Sequence, residues 1–282
     1  MIEQILRSIE QIPAFPTTIF KVSGMLNDED YSVDALTEVI KFDQAIAANV
    51  IKMSNSAYLS PSRSIGTIRE AVLYLGQRNL LKCVQTAGVS RFFQTTGQRQ
   101  MATAHELWEH SVAVALMSQI LARKILKRED ERLYLAALLH DVGKIVMGEY
   151  IYESFEMIMD LVTRRGYSFL EAEEEIIGIN HAELGGMIAA HWHYPQEMEM
   201  ALTYHHRPDL AGDDTTTVWL IHLADQICLL AGITGGMDGL AHRGVDEVMK
   251  KFSFYEKDLE VGMLELVEHL QRARDLVGIV AG

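Results

Sequence analysis

Basic residues are in short supply: 25 lysines and arginines stand against 39 acids, a formal net charge of −14. Binding duplex nucleic acid requires clustered Lys and Arg that neutralise phosphates, so that class of partner is excluded. Proline is rare as well, at five residues, and little in the chain would interrupt a helix. The two cysteines, Cys83 and Cys228, lie in apolar runs with helical spacing. Buried free thiols fit them better than a disulfide, and a reducing cytosol is the matching compartment. No apolar stretch reaches the roughly 20 residues of a bilayer span. The opening Met1-Ile-Glu-Gln-Ile-Leu-Arg-Ser8 carries an acid and polar breaks where a secretory leader would be apolar. The expectation is a cytoplasmic protein without membrane insertion. No alternating run is long enough to read as a strand.

What the chain does have is apolar content, 49% against 23% charged, enough for a sizeable core. Its spacing is helical. Val33–Ile40 follows Ser32 as a plausible N-cap, and a second helix runs from about Ala45 to Met53. Thr67-Ile-Arg-Glu70 and Ser168-Phe-Leu-Glu171 have capping-box spacing. Gly76 is expected to stop the helix that Thr67 opens, and another covers about 80–93. Further helices are expected at about 104–126, 131–140, 149–165, 169–177, 181–190, 197–205, 216–232, 244–250 and 257–278. The polar, glycine-containing stretch from Thr95 to Gln100 marks a boundary. The reading is all-α, with two packed helical subdomains, 1–98 and 99–282.

Chemistry concentrates in the second of these. His140-Asp141 closes the apolar run Leu133–Leu139, so an imidazole and a carboxylate follow a buried segment. His110 lies on a long amphipathic helix with Glu106 one turn before it. His181 opens an apolar helix, His205-His206 closes another, and Asp225 is a lone acid between Ala224 and Ile227. Imidazoles with a few carboxylates suit Fe, Mn, Zn or Co better than Ca or Mg. So many candidate ligands exceed the need of one ion and fit two, bridged by a carboxylate, a pair that activates water and clamps phosphate. Lys144 is then placed to neutralise a phosphate oxygen. Plainer readings stand beside these. Glu106 is three residues after Thr103 and has capping-box spacing. His205-His206 fits a helix C-terminus, His181 a helix start, and Lys144 a solvated helix end. His222 is either a supporting partner of Asp225 or a rival ligand. His191 and His193, flanking Trp192, read as a surface turn.

The ordered set His110, His140-Asp141 and Asp225 resembles the metal signature of the HD superfamily of phosphohydrolases. Ile12-Pro-Ala-Phe-Pro16, Ile40-Lys-Phe-Asp-Gln-Ala45, Asn55-Ser-Ala-Tyr58 and Ile68-Arg-Glu-Ala-Val-Leu-Tyr-Leu-Gly76 resemble the HDOD domain, the HD-related output domain of bacterial signalling. The resemblance implies an HD-like bundle in the second subdomain and a role in signal transduction, with signalling proteins as partners. It also implies a metal site built from Glu106, His110, His140, Asp141, His181, His205, His206 and Asp225, similar to that of the HD-GYP phosphodiesterases. Two ions are implied, Fe or Mn first, with Zn, Ni and Co as alternatives. An active enzyme of this kind would use Asp141 and Lys144 on a phosphate-containing small molecule. Two departures are visible. Arg207-Pro-Asp-Leu follows the histidine pair where the phosphodiesterases have Gly-Tyr-Pro, and Asp43-Gln44 stands where the family has Asp-Pro. Many HDOD domains have lost these ligands and work as interaction modules, so a regulatory role is the leading expectation and hydrolysis the alternative.

Overall fold

The computed structural model describes residues 2–12, 16–26, 28, 30–56, 61–62, 64–95, 104–212, 215–234, 257 and 261–268. Among these residues the chain is helical throughout, with no strand. Contacts divide it into two compact units, one built on Ala14–Phe92 and the other on Met1–Pro13 with Phe93–Val267. The N-terminal helix α1 (Ile2–Gln11) thus belongs with the C-terminal helices rather than with its neighbours in sequence. The expected helix at 244–250 and the lead-in at 13–15 lie outside the described residues, as does most of 257–278; its residues 261–268 are helical.

In the first unit the helices begin where a side chain can satisfy the first free amides. Ser32 accepts from Ala35 N at 3.3 Å ahead of α3 (Val33–Lys41), after α2 (Thr17–Leu26). Asp43 accepts from Ile46 N at 3.2 Å ahead of α4 (Gln44–Ser54), which gives the aspartate of the Asp43-Gln44 pair a physical task. Thr67 and Glu70 form the expected reciprocal box ahead of α5 (Ile68–Thr95). Gly76 interrupts α5 with φ +65°, a conformation that favours glycine, and the chain turns helical again on its far side. Ile19, Leu36, Ile40, Ile46, Met53, Leu80 and Leu81 fill the interior, each contributing about 1.5–3 kcal/mol.

Asn55, at the end of α4, holds the following loop. Its amide donates to Ile51 O and Ile65 O at 2.9 and 2.8 Å and its carbonyl accepts from Ile65 N at 2.8 Å. Asn55→Ala leaves a peptide ten residues away without its partners. A loss of roughly 1–3 kcal/mol is expected, read as a lower midpoint in urea unfolding with an unchanged slope.

The second unit surrounds α7 (Glu131–Leu139), whose residues Leu133–Leu139 are all buried. A helix apolar on every side belongs at a centre. α6 (Ala104–Ile125) packs on α7, and α12 (Thr216–Leu230) packs on α6, α7 and α11 (Gln196–Tyr204). α8 (Val142–Arg165) ends at Gly166 in the left-handed region and leads to α9 (Phe169–Ile177), opened by the Ser168–Glu171 box. α10 (His181–His191) lies between α8 and α11.

α8 begins at Val142, seven residues before the expected 149. Its first turn is closely packed: a Cβ on Gly143 would stand 1.9 Å from His181 O and 3.0 Å from Gly185 N. On the other side of α10, a Cβ on Gly186 would stand 1.9 Å from Thr203 Oγ1 of α11. Small residues at these faces let three backbones approach, and the ends of those helices carry the site.

Candidate metal centre

α7 ends at Leu139 and α8 begins at Val142, so His140 and Asp141 form the turn between two helices rather than part of a continuing one. Both are buried, at 0% and 1% exposure. Around them gather His110 from α6, His181 from the first residue of α10, His205-His206 from the end of α11, and Asp225 from the middle of α12. Two groups have ligand atoms within 4.8 Å of one another: Asp141, His181, His205 and His206 form one, and His110, His140 and Asp225 the other.

Asp141 stands between them. Its Oδ2 lies 3.3 Å from His140 Nε2 and 3.7 Å from His110 Nε2. Its Oδ1 lies 3.4 Å from His181 Nε2 and 3.7 Å from His205 Nε2. Each oxygen thus faces a different group. Asp225 closes the first, with Oδ1 3.1 Å from His110 Nε2, and reaches toward the second, with Oδ2 3.9 Å from His206 Nδ1.

The far side of each ring explains why its Nε2 points inward. Nδ1 of His110 donates to Ile233 O at 2.8 Å, that of His140 to Ala137 O at 2.7 Å, and that of His205 to Leu202 O at 2.7 Å. Nδ1 of His181 donates to Glu173 Oε2 at 2.7 Å. In a neutral imidazole the proton is then on Nδ1, and Nε2 presents a lone pair to the centre. His110 Nε2, His140 Nε2, His205 Nε2, Asp141 Oδ1 and Asp225 Oδ2 are buried and have no hydrogen-bond partner. Buried polar atoms in folded proteins are nearly all satisfied. Five acceptors facing one another call for positive charge between them.

The electrostatics agree. Burial disfavours the charged form of His110, yet the negative charges of Asp225 and Asp141 close to its ring outweigh it and raise its pKa. Burial likewise opposes protonation of His181, and Glu173 and Asp141 overcome it. His205 goes the other way, pushed down to about 4 by burial. His206 is lowered by burial and then by the neighbouring His205 and His181. Burial opposes the charge on Asp141, but His140 and Lys144 hold it well below the usual carboxylate range. Lys144 is not a solvated helix end: it is 8% exposed, with Nζ 2.6 Å from Asp141 Oδ2.

The structure therefore brings together seven of the eight residues expected as ligands, with Lys144 beside them. Glu106 is the exception: it is exposed in the first turn of α6 and belongs to neither group. His222 is a support, its Nδ1 donating to His205 O at 2.7 Å. His191 and His193 are exposed, as a surface turn requires. Glu173 escaped the sequence reading. It is fully buried behind His181. One signal was present: Glu173 is four residues after Phe169 and four before Ile177, on the apolar face of α9. Both cysteines are buried free thiols, with Cys83 pushed up to about 12 by burial.

The all-α architecture and the ordered His, His-Asp, Asp set define the class, a helical protein with an HD-type arrangement of residues. The HDOD domain profile matches residues 12–208, and the chain belongs to the HDOD family. It is similar over 99% of its length to an HDOD domain protein of unknown function from Geobacter sulfurreducens. That match covers 98% of the other chain, with 25% identity and a TM-score of 0.73. It shares the fold of a candidate phosphohydrolase from Shewanella amazonensis SB2B (21% identity, 98% of both chains, TM-score 0.74). An uncharacterized protein of Treponema pallidum (strain Nichols) is 23% identical over 202 residues, 70% of this chain; the match spans 38% of that relative's length. Among the described residues no helix is long and apolar enough to cross a membrane.

Proposed function

We propose that this HDOD protein holds a dinuclear transition-metal centre and acts through it as a regulatory output module of bacterial signal transduction, in the cytoplasm, by contacts with signalling proteins. The observation that carries this reading is the pair of Asp141 oxygens, each facing a separate group of inward-pointing ligand atoms. His110, His140, Asp225 and Asp141 Oδ2 would hold one ion. His181, His205, His206 and Asp141 Oδ1 would hold the other. The nitrogen-and-carboxylate donor set suits Fe or Mn, with Zn, Ni or Co as alternatives. When bound, such a pair supplies Lewis acidity and an activated water.

The regulatory part follows from where the ligands come from. α6, the α7–α8 turn, α10, α11 and α12 each contribute at least one. Occupancy therefore ties five segments together, and an ion at 100 times its Kd stabilises them by about 2.7 kcal/mol. The side chains of Asp141, Asp225, His110, His140, His181 and His205 are at most 2% exposed, against 13% for His206. Such enclosure suits a stabilising centre. The second reading, a phosphohydrolase acting on a small phosphate compound, is favoured by Lys144, whose buried ammonium beside Asp141 would neutralise a phosphate oxygen.

Metal analysis of protein purified without oxygen tests the centre. About two transition-metal ions per chain are expected, and none would sink the proposal. Assay of the loaded protein on generic phosphodiesters and cyclic dinucleotides separates the readings. Silence across the panel leaves the output module ahead, and turnover that chelation abolishes shifts the function to hydrolysis.

A further inference from the structure

We infer that Glu173 is a positioning residue for one half of the centre, fixing His181 so that the charge at 173 sets the affinity of that half alone. The inference rests on the metal reading above. Glu173 comes from α9, a helix that gives no member to either ligand group. Its side chain is fully buried, at 0% exposure. Oε2 accepts from His181 twice, from ring Nδ1 at 2.7 Å and from the backbone amide at 3.0 Å.

Burying a carboxylate is costly unless its charge is used. Here it is used in two ways. The double contact grips ring and backbone together, so the imidazole is held at the first residue of α10. Nε2 is thereby left facing Asp141 Oδ1 at 3.4 Å and His206 Nε2 at 2.9 Å. A carboxylate behind an imidazole also makes the opposite nitrogen a stronger donor to a metal.

The next residue extends the grip. Glu174 Oε1 accepts from Asn180 Nδ2 at 2.6 Å and pairs with Arg207 at 2.8 Å. Asn180 is the N-cap immediately before His181, and Arg207 immediately follows His206. α9 therefore holds the chain on the outer side of both rings that meet in this half-site. The other half is built differently: His110 and His140 hang on the backbone carbonyls of Ile233 and Ala137. Those acceptors are neutral, and no side-chain replacement removes them. A change of charge at 173 thus acts on one group of ligands and spares the other.

Glu173→Gln is the direct test, because the amide oxygen keeps both acceptor roles while the charge is lost and an NH2 takes the place of Oε1. The metal-stripped full chain is titrated anaerobically with Fe(II), and the binding steps are resolved by calorimetry. A metal-free melting curve like the wild type's is expected, with one step weakened roughly 10- to 100-fold and the other unchanged. Glu173→Asp serves if the glutamine variant does not fold; it keeps the charge on a shorter stem and should weaken the same single step by less. Two wild-type affinities in either folded variant, or equal weakening of both steps, overturn the inference while leaving the dinuclear reading intact. A wild-type chain that takes up no Fe(II) overturns both.

Discussion

Asp141→Ala should empty both halves of the centre and lower the melting temperature even of protein stripped of metal. The first effect follows from the division of its oxygens, since among the described residues no other carboxylate faces both ligand groups at similar distances. The second follows from Lys144. With 8% exposure and an Nζ–Oδ2 distance of 2.6 Å, its ammonium is compensated by this carboxylate. Removing one partner of a buried pair costs on the order of 3–5 kcal/mol. At about 2–4 °C per kcal/mol for a unit of this size, the drop is roughly 6–20 °C. Metal analysis should show well under one ion per chain, and circular dichroism should show helices retained below the transition. The double variant Asp141→Ala with Lys144→Met separates the two effects. It leaves no buried ammonium and should regain most of the lost stability while remaining empty of metal. A single variant that keeps two ions would end Asp141's bridging role, and a double variant no more stable than the single would end the account of Lys144.

The elements that were legible in the sequence are those whose cause is local. A Ser, Thr or Asp followed three residues later by a Glu, or by the first apolar position, announces a helix start, and Ser32, Thr67 and Ser168 all cap as read. The apolar run Leu133–Leu139 announced a buried helix with polar residues at its end. The seven candidate ligands were legible through an order that resembles the HD and HD-GYP pattern, helped at His140-Asp141 and Asp225 by apolar neighbours, where a polar side chain is costly to bury without a use. What the sequence hid depends on backbones far apart in the chain. The first turn of α8 lies with Gly143 close to His181 O, a contact across 38 residues that no window of sequence displays. Glu173 was masked by Glu174 and Glu175, since three adjacent acids read as a solvated face. Only the packing of α9 turns the first of them inward. Glu106 shows the other side of this: one helical turn from His110 is the right spacing for a shared face, yet Glu106 itself is exposed and joins neither ligand group.

Gly143→Ala should be the most disruptive single-methyl change in the second unit. An added Cβ would stand 1.9 Å from His181 O, 2.8 Å from His181 C and 3.0 Å from Gly185 N, all backbone atoms, so no side-chain rotation relieves the contact. α8 and α10 must separate instead, and His181, the first residue of α10, is one of the proposed ligands. Overpacking in cores costs about 1–3 kcal/mol where side chains yield, and occasionally more. A clash between backbones falls at or above the upper end. Gly88→Ala is the internal comparison. Its Cβ would meet Ile19 Cδ1 at 2.3 Å, but that atom is the far end of a flexible side chain. The expected order of melting temperatures is therefore wild type, then Gly88→Ala, then Gly143→Ala. The metal readout divides the two further. Gly88→Ala, in the first unit, should keep about two ions. Gly143→Ala should lose first the ion assigned to His181, His205 and His206, because it is His181 that α8 would displace. A Gly143→Ala protein as stable as the wild type and fully loaded would show that the two helices need not meet this closely, and the glycine would lose its role in building the site.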